Sequence, residues 1–191
     1  MTDVQAEGWV RIIRGGDRVL IRPLHSQDAE MERRFIEALS PVARRFRFLE
    51  TMKTPSEALL KQLTVLDPAT DAAFVAVTVT GSREAPIGVG RFSADRGGRD
   101  CEFAVTVADA CQQKGLGTLL MEHLIATARQ RGLRSMYSSD AWDNELMRRF
   151  AAHMGLRHEP DPDDATQVRY SLDLKPLPPA VNMLAGPGAA R

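Results

Sequence analysis

Apolar positions along this chain change period several times, and each change predicts an element. Val10–Arg14 and Arg18–Ile21 are short β-prone runs around Gly15-Gly16-Asp17, a hairpin signal, and Pro23 ends the second run. From Gln27 to Leu39 the period becomes helical. Ala29, Met31, Phe35, Ile36 and Leu39 fall roughly on one face, with Ser26 placed as cap. Ser40-Pro41 predicts a second short helical turn, with proline at a tolerated first position. Thr54-Pro55, with Glu57 three residues after Thr54, reads as a capping box. The helix it opens turns Ala58, Leu59, Leu63 and Leu66 inward and stops before Asp67-Pro68.

The middle of the chain switches to β. Ala72–Thr80 is rich in β-branched residues, Gly81–Ala85 is a turn, and Pro86–Ala94 is the next strand, where Gly88 and Gly90 allow a bulge or a close ligand approach. Asp95–Gly98 is a polar turn into a strand over Glu102–Val107. A long helix runs from Gly115 or Leu116 to Arg131, with Leu116, Leu119, Leu120, Leu124 and Ala128 on its buried face and Gly132 at its end. Leu133–Ser139 follows as a strand. It is expected parallel to Glu102–Val107, because a helix crosses between them. Asp143 reads as the cap of a helix over Asn144–Met154 that stops at Gly155. Leu156–His158 and Val168–Leu174 are terminal strands around the polar turn Glu159–Thr166. Beyond Lys175 the composition is Pro/Gly/Ala-rich. The division expected is one domain over residues 1–174 and a tail over 175–191.

The totals narrow the class. With 43% hydrophobic and 26% charged residues among 191, one domain can bury a core. Lys+Arg and Asp+Glu are both 25, so no overall bias favours nucleic acid or a membrane surface. No apolar run is long enough for a bilayer and no signal-peptide pattern opens the chain, so a cytoplasmic protein is expected. Two cysteines, Cys101 and Cys111, cannot make a disulfide framework. No Cys/His spacing fits zinc, and no metal is expected.

The candidate chemistry lies between Cys101 and Arg131. A strand runs through a short loop, Gln112-Gln113-Lys114-Gly115-Leu116-Gly117, into a helix N-terminus. The first backbone N–H groups of such a helix lack intrahelical partners and the macrodipole adds positive charge, which makes an anion site. Gly115 and Gly117 let a phosphate approach the backbone. A nucleotide P-loop does not fit, because Lys114 precedes Gly115. A dinucleotide fingerprint does not fit either, because the third glycine is missing. Arg44, Arg45 and Arg47, interleaved with Phe46 and Phe48, are taken as a solvated face beside two core phenylalanines, the alternative being a share in the mouth of a site. His123, beside the apolar stripe of the long helix, is taken as packed or surface-lying.

Gln112-x-x-Gly115-x-Gly117 after a strand resembles the Q/R-x-x-G-x-G/A signature of the GCN5-related N-acetyltransferases (GNAT). Asp143–Phe150 followed by His153–Leu156 resembles that family's next motif, and Ile21-Arg22-Pro23 with Gln27-Asp28 its first strand and helix. Ser40-Pro41 with Arg45-x-Arg47-Phe48, then Glu102–Val105, is further similar to the acetyltransferase domain of the bacterial protein lysine acetyltransferases called Pat. The likeness spans about Val10 to Leu174. It implies an α/β (α+β) fold with a mixed, mostly antiparallel sheet of about 6–7 strands, splayed between strands 4 and 5 and flanked by about 4 helices.

The resemblance also implies a mechanism. Acetyl-CoA would be the cosubstrate and an amine, from a protein lysine or a small molecule, the acceptor. Glu102 would be the general base, its pKa raised by burial near Phe103 and Val105. Backbone groups of Val105, Thr106 and Val107 would hold the pantetheine arm, with Asn144 on the other wall. Gln112 and the N–H groups of Gln113, Lys114, Gly115, Leu116, Gly117 and Thr118 would hold the pyrophosphate, Lys114 adding charge. Many members carry a tyrosine as general acid seven residues after the asparagine; here that position is Ala151, with Tyr137 as a substitute. Cys101 should point away from Glu102 by strand alternation. A non-catalytic acyl-CoA-binding module and a homodimer stay open at this point.

Overall fold

A computed structural model describes residues 8–49, 52–94 and 97–174. The expected tail over 175–191 and positions 95 and 96 of the polar turn lie outside the described residues. An eight-stranded sheet carries the fold, in the order β1-β2-β3-β4-β5-β6-β8-β7. Its strands are β1 (Trp9–Ile12), β2 (Arg18–Pro23), β3 (Asp71–Thr80), β4 (Arg83–Ala94), β5 (Asp100–Val107), β6 (Ser135–Ala141), β7 (Arg157–Pro160) and β8 (Gln167–Asp173). Among the described residues five α-helices accompany it: α1 (Ala29–Ala38), α2 (Pro41–Phe48), α3 (Glu57–Thr64), α4 (Leu116–Gln130) and α5 (Glu145–Met154). The sheet exceeds the expected count because β1 and β7 are four-residue edge strands, each paired on one side only. No helix among the described residues is long and apolar enough to cross a membrane.

Every neighbouring pair is antiparallel except β5–β6. α4 lies between them and carries the chain back to the end of the sheet where β5 began, so β6 runs parallel to β5, as the pattern predicts. The pairing is short, covering only Asp100↔Ser135, Cys101↔Met136 and Glu102↔Tyr137. Beyond Glu102 the two strands part. This is the splay expected between the fourth and fifth strands, here between β5 and β6 because β1 adds one to the count.

The sheet separates two apolar layers. On one face α4 sets Leu116, Leu120 and Leu124 against Phe74, Phe92 and Phe103. Gly88 and Gly90 face this helix. A Cβ on Gly88 would come within 3.1 Å of Leu120 Cδ1 and 3.2 Å of Leu116 Cδ2, and one on Gly90 within 3.2 Å of Leu120 Cβ. These glycines therefore admit a helix rather than a ligand, and the register shift falls beside them, between Ala76 and Val77. On the other face α1 packs Phe35 and Leu39 against Val75, Val77 and Val89, and α3 packs Leu60 and Leu63 against Ile36.

Three helix starts differ from expectation by a few residues. A 3-10 turn over Ser26–Asp28 precedes α1, and Asp28 Oδ2 accepts from the His25 N–H at 2.8 Å, so Ser26 is not the cap. Ser56, not Thr54, caps α3 by accepting from Leu59 N–H, so the buried face moves to Leu60 and leaves Ala58 exposed. Asn144, not Asp143, caps α5. In each case a second capping-competent residue stood close by, and tertiary contacts chose between them.

Candidate active site

Where β5 and β6 part, a cleft of about 720 Å³ opens between them, walled by α2, the start of α4 and α5. Residues Phe103–Val107 of β5 have β4 on one side but no β6 on the other, so their outer backbone groups face the cleft. The α4 loop closes one end. Gln113 (φ 60°) and Gly115 (φ 86°) are both left-handed, and this turns successive N–H groups the same way. Among the described residues the N–H groups of residues 113–118 have no backbone acceptor, and Leu119 is the first to find one, Gly115 O at 3.2 Å. Gly115 is needed for its backbone angle. Gly117 is not among the left-handed glycines, and a Cβ there would meet Phe150 and Val105 only at 3.5 Å and beyond. What Gly117 leaves open is the space of the cleft.

Glu102, Ala104 and Thr106 alternate with Cys101 and Phe103, which are buried on the α4 side, so they point to the α2 side. Glu102 lines the cleft and is exposed; the burial expected around it is absent. Thr106 is 8% exposed, lines the cleft, and its Oγ1 has no hydrogen-bond partner, an orphaned buried hydroxyl of the kind a ligand satisfies. Cys101 is 1% exposed, and burial pushes its thiol up to about 12, with Asp100 adding to the effect.

The predicted site residues assemble with two exceptions. Lys114 and Leu116 are off the cleft wall, while the other predicted positions are on it. Leu116 is a core side chain and offers only its N–H. The Lys114 ammonium turns away to Asp17 Oδ2 at 3.3 Å. Asn144 is on the wall and buried, but its side chain is engaged. Oδ1 accepts from Met147 N–H (3.1 Å), and Nδ2 donates to Asp140 Oδ1 and Oδ2 (3.0 and 3.1 Å). Ala151 is buried at the position where many family members carry a tyrosine. Tyr137 is paired in register with Glu102, but its ring lies under the Arg169 guanidinium (4.1 Å) and does not line the cleft.

Other wall residues carried no local signal. Asp140, at the far end of β6, is a second carboxyl on the wall. Burial raises its pKa from 3.8 to about 6, and the Asn144 hydrogen bonds only partly offset this. The basic cluster of α2 divides. Arg45 is exposed and bonds Asp143 just before α5 at 2.8 Å, off the cleft wall, whereas Arg47, Phe46 and Phe48 form wall rather than a solvated face over core. Burial first, and the like charge of Arg91 second, pull Arg47 down to about 10, with Glu32 and Glu102 opposing, so it stays a cation at neutral pH. Ser40 donates through N–H and hydroxyl to Asp109 (2.9 and 2.7 Å), which anchors the other end of α2 to the loop after β5. His123 is packed, its ring 4.3 Å from that of Trp9 and 5.5 Å from that of Phe74.

The model of the Acetyltransferase (GNAT) family matches residues 36–156, which hold every described residue of the cleft wall except Arg14. The chain belongs to the GNAT acetyltransferase family. It is accordingly an acyltransferase enzyme, and the non-catalytic reading is set aside. Acetyltransferase PA5475 of Pseudomonas aeruginosa is 44% identical over 171 residues, covering 90% of this chain and 92% of that protein. The GNAT domain of S. lividans PAT superposes with a TM-score of 0.79 at 25% identity, over 87% of this chain and 97% of that one. A cAMP-binding acyltransferase from Mycobacterium smegmatis shares the fold (TM-score 0.62, 24% identity), and this chain covers 48% of its length.

Proposed function

We propose that this acetyltransferase moves the acetyl group of acetyl-CoA directly onto a primary amine, with Glu102 as the proton acceptor. One observation carries the reading: β5 leaves β6 immediately after Glu102, beside a turn whose N–H groups lack acceptors. The free edge of residues 103–107 suits the amides of a pantetheine arm, taken up like an added strand, and the Thr106 hydroxyl offers one further bond. The bared N–H groups suit a diphosphate. Acetyl-CoA supplies an activated thioester, so the chain itself has to supply positioning and deprotonation.

Deprotonation is the harder part. An alkyl ammonium with a pKa near 10.4 is roughly 4–5 kcal/mol from its free base at pH 7. A carboxylate in reach, directly or through water, removes that proton as the amine attacks. The CoA thiol, with a pKa of about 8.5 by analogy with cysteine, leaves as thiolate without a dedicated acid, in keeping with the buried Ala151.

A protein lysine is the favoured acceptor. Glu102 is exposed, so a side chain carried on a large partner can reach it. A small-molecule amine is the second reading, and Asp140 favours it, because a second carboxyl on the wall suits an acceptor with more than one positive charge.

The test incubates labelled acetyl-CoA with the protein and a panel of lysine peptides, polyamines and aminoglycosides. Glu102→Gln is expected to lower turnover by about 10²–10⁴-fold while acetyl-CoA binding is retained. Unchanged turnover in that variant would remove Glu102 from the role.

A further inference from the structure

The turn between β1 and β2 reaches the α4 loop from the side. Arg14 N–H donates to Lys114 O at 3.0 Å, and Arg14 Nη1 donates to Gln113 O at 3.3 Å, between residues 99 apart in the chain. Lys114 Nζ completes the clamp on Asp17 Oδ2 at 3.3 Å. Of the three arginines on the cleft wall, Arg47 lies among Glu32, Arg91 and Glu102, and Arg149 is paired with Glu145 at 3.2 Å. Arg14 has no carboxylate partner among the described residues, and its side chain is exposed beside the loop.

We propose that Arg14, delivered by the N-terminal hairpin, is the cation that meets the phosphoryl groups of the CoA ester, in place of Lys114. The inference rests on the reading that an acyl-CoA occupies this cleft. A guanidinium carries five N–H donors in a fixed fork, and the bond to Gln113 O uses one of them. The remaining edge can take two phosphate oxygens at once. The Lys114 ammonium instead neutralises Asp17 and holds the hairpin turn against the loop. The clamp thus brings a charge to the loop and restricts its direction, since both Arg14 N–H and Nη1 are anchored to loop carbonyls.

The phosphoryl groups within reach are the diphosphate and the phosphate on the adenosine ribose, and two probes separate them. Calorimetric titration of CoA into the full chain is expected to weaken about tenfold in Arg14→Gln, since a charge-assisted bond of this kind is lost at an exposed site. An equal loss with dephospho-CoA places the contact on the diphosphate; a loss seen only with CoA places it on the ribose phosphate. Arg14→Lys restores part of the affinity. Lys114→Gln changes it less than threefold. Binding within twofold of wild type in Arg14→Gln, or a larger loss in Lys114→Gln than in Arg14→Gln, overturns the proposal. A wild-type protein that takes up no CoA sinks the acyl-CoA reading itself, and this inference with it, a result distinct from either.

Discussion

Asp140→Asn is expected to stabilise the protein above pH 6 and not at pH 4. Burial holds the Asp140 carboxyl at about 6 against 3.8 in the unfolded chain; Asp143 adds like-charge repulsion, and Asn144 and Arg45 pull the other way. A carboxyl with a raised folded pKa binds its proton more tightly in the native state. Well below 3.8 both states are protonated and stability is unaffected. Between 3.8 and about 6 the unfolded chain ionises first and stability falls as pH rises. Above about 6 the whole cost is present. A rise of about two units is worth roughly 3 kcal/mol. The new amide keeps an oxygen for Asn144 Nδ2 but brings N–H groups that lack an acceptor, which takes back about 1 kcal/mol. The net gain at pH 8 is then about 2 kcal/mol, or a rise of about 4–8 °C in Tm for a chain of this length. Urea unfolding of both proteins at pH 4 and pH 8, followed by tryptophan fluorescence, reads the gap directly. A gap that does not widen between the two pH values would refute the argument.

Other outcomes follow from packing and burial. Gly88→Val should cost about 1–3 kcal/mol in urea unfolding, because a Cβ there would by itself come within 3.3 Å of Leu116, Leu120 and the Thr106 carbonyl, and the two further methyl groups would force α4 outward. An unchanged midpoint would show that α4 is less closely seated on β4. Of the two thiols, Cys111 should react with a disulfide reagent at pH 8 in the native protein, and Cys101 only on unfolding, since burial holds it near 12. Equal native rates would contradict that burial.

Much of the fold was legible because its signals are local. The α4 stripe Leu116–Leu120–Leu124 and the β-branched run of β3 each announce an element and its buried face within a few residues. The glycine-bearing loop before α4 was legible as a turn of bared N–H groups for the same reason, since such groups belong to any helix start. Helix caps were less so. Ser26, Thr54 and Asp143 were reasonable choices, yet Asp28, Ser56 and Asn144 carry the capping bonds. Asp28 is also bound to the buried Arg22 at 2.8 Å, a tertiary contact that its neighbours in sequence do not reveal.

By itself, then, the order of apolar and polar residues determined the strands, the long helix, the parallel crossover and the glycine turn with its bared N–H groups, because period and turn chemistry act over a few residues. Which charges meet in and around the cleft was decided only when the sheet assembled. Arg14 reaches Gln113, Arg45 reaches Asp143, Lys114 is drawn off to Asp17, and Asp140 is buried against Asn144. The first three join residues nearly a hundred positions apart, and the last depends on water being excluded by elements distant in sequence. Coulomb attraction and desolvation depend on distance in space, and chain spacing does not encode that distance.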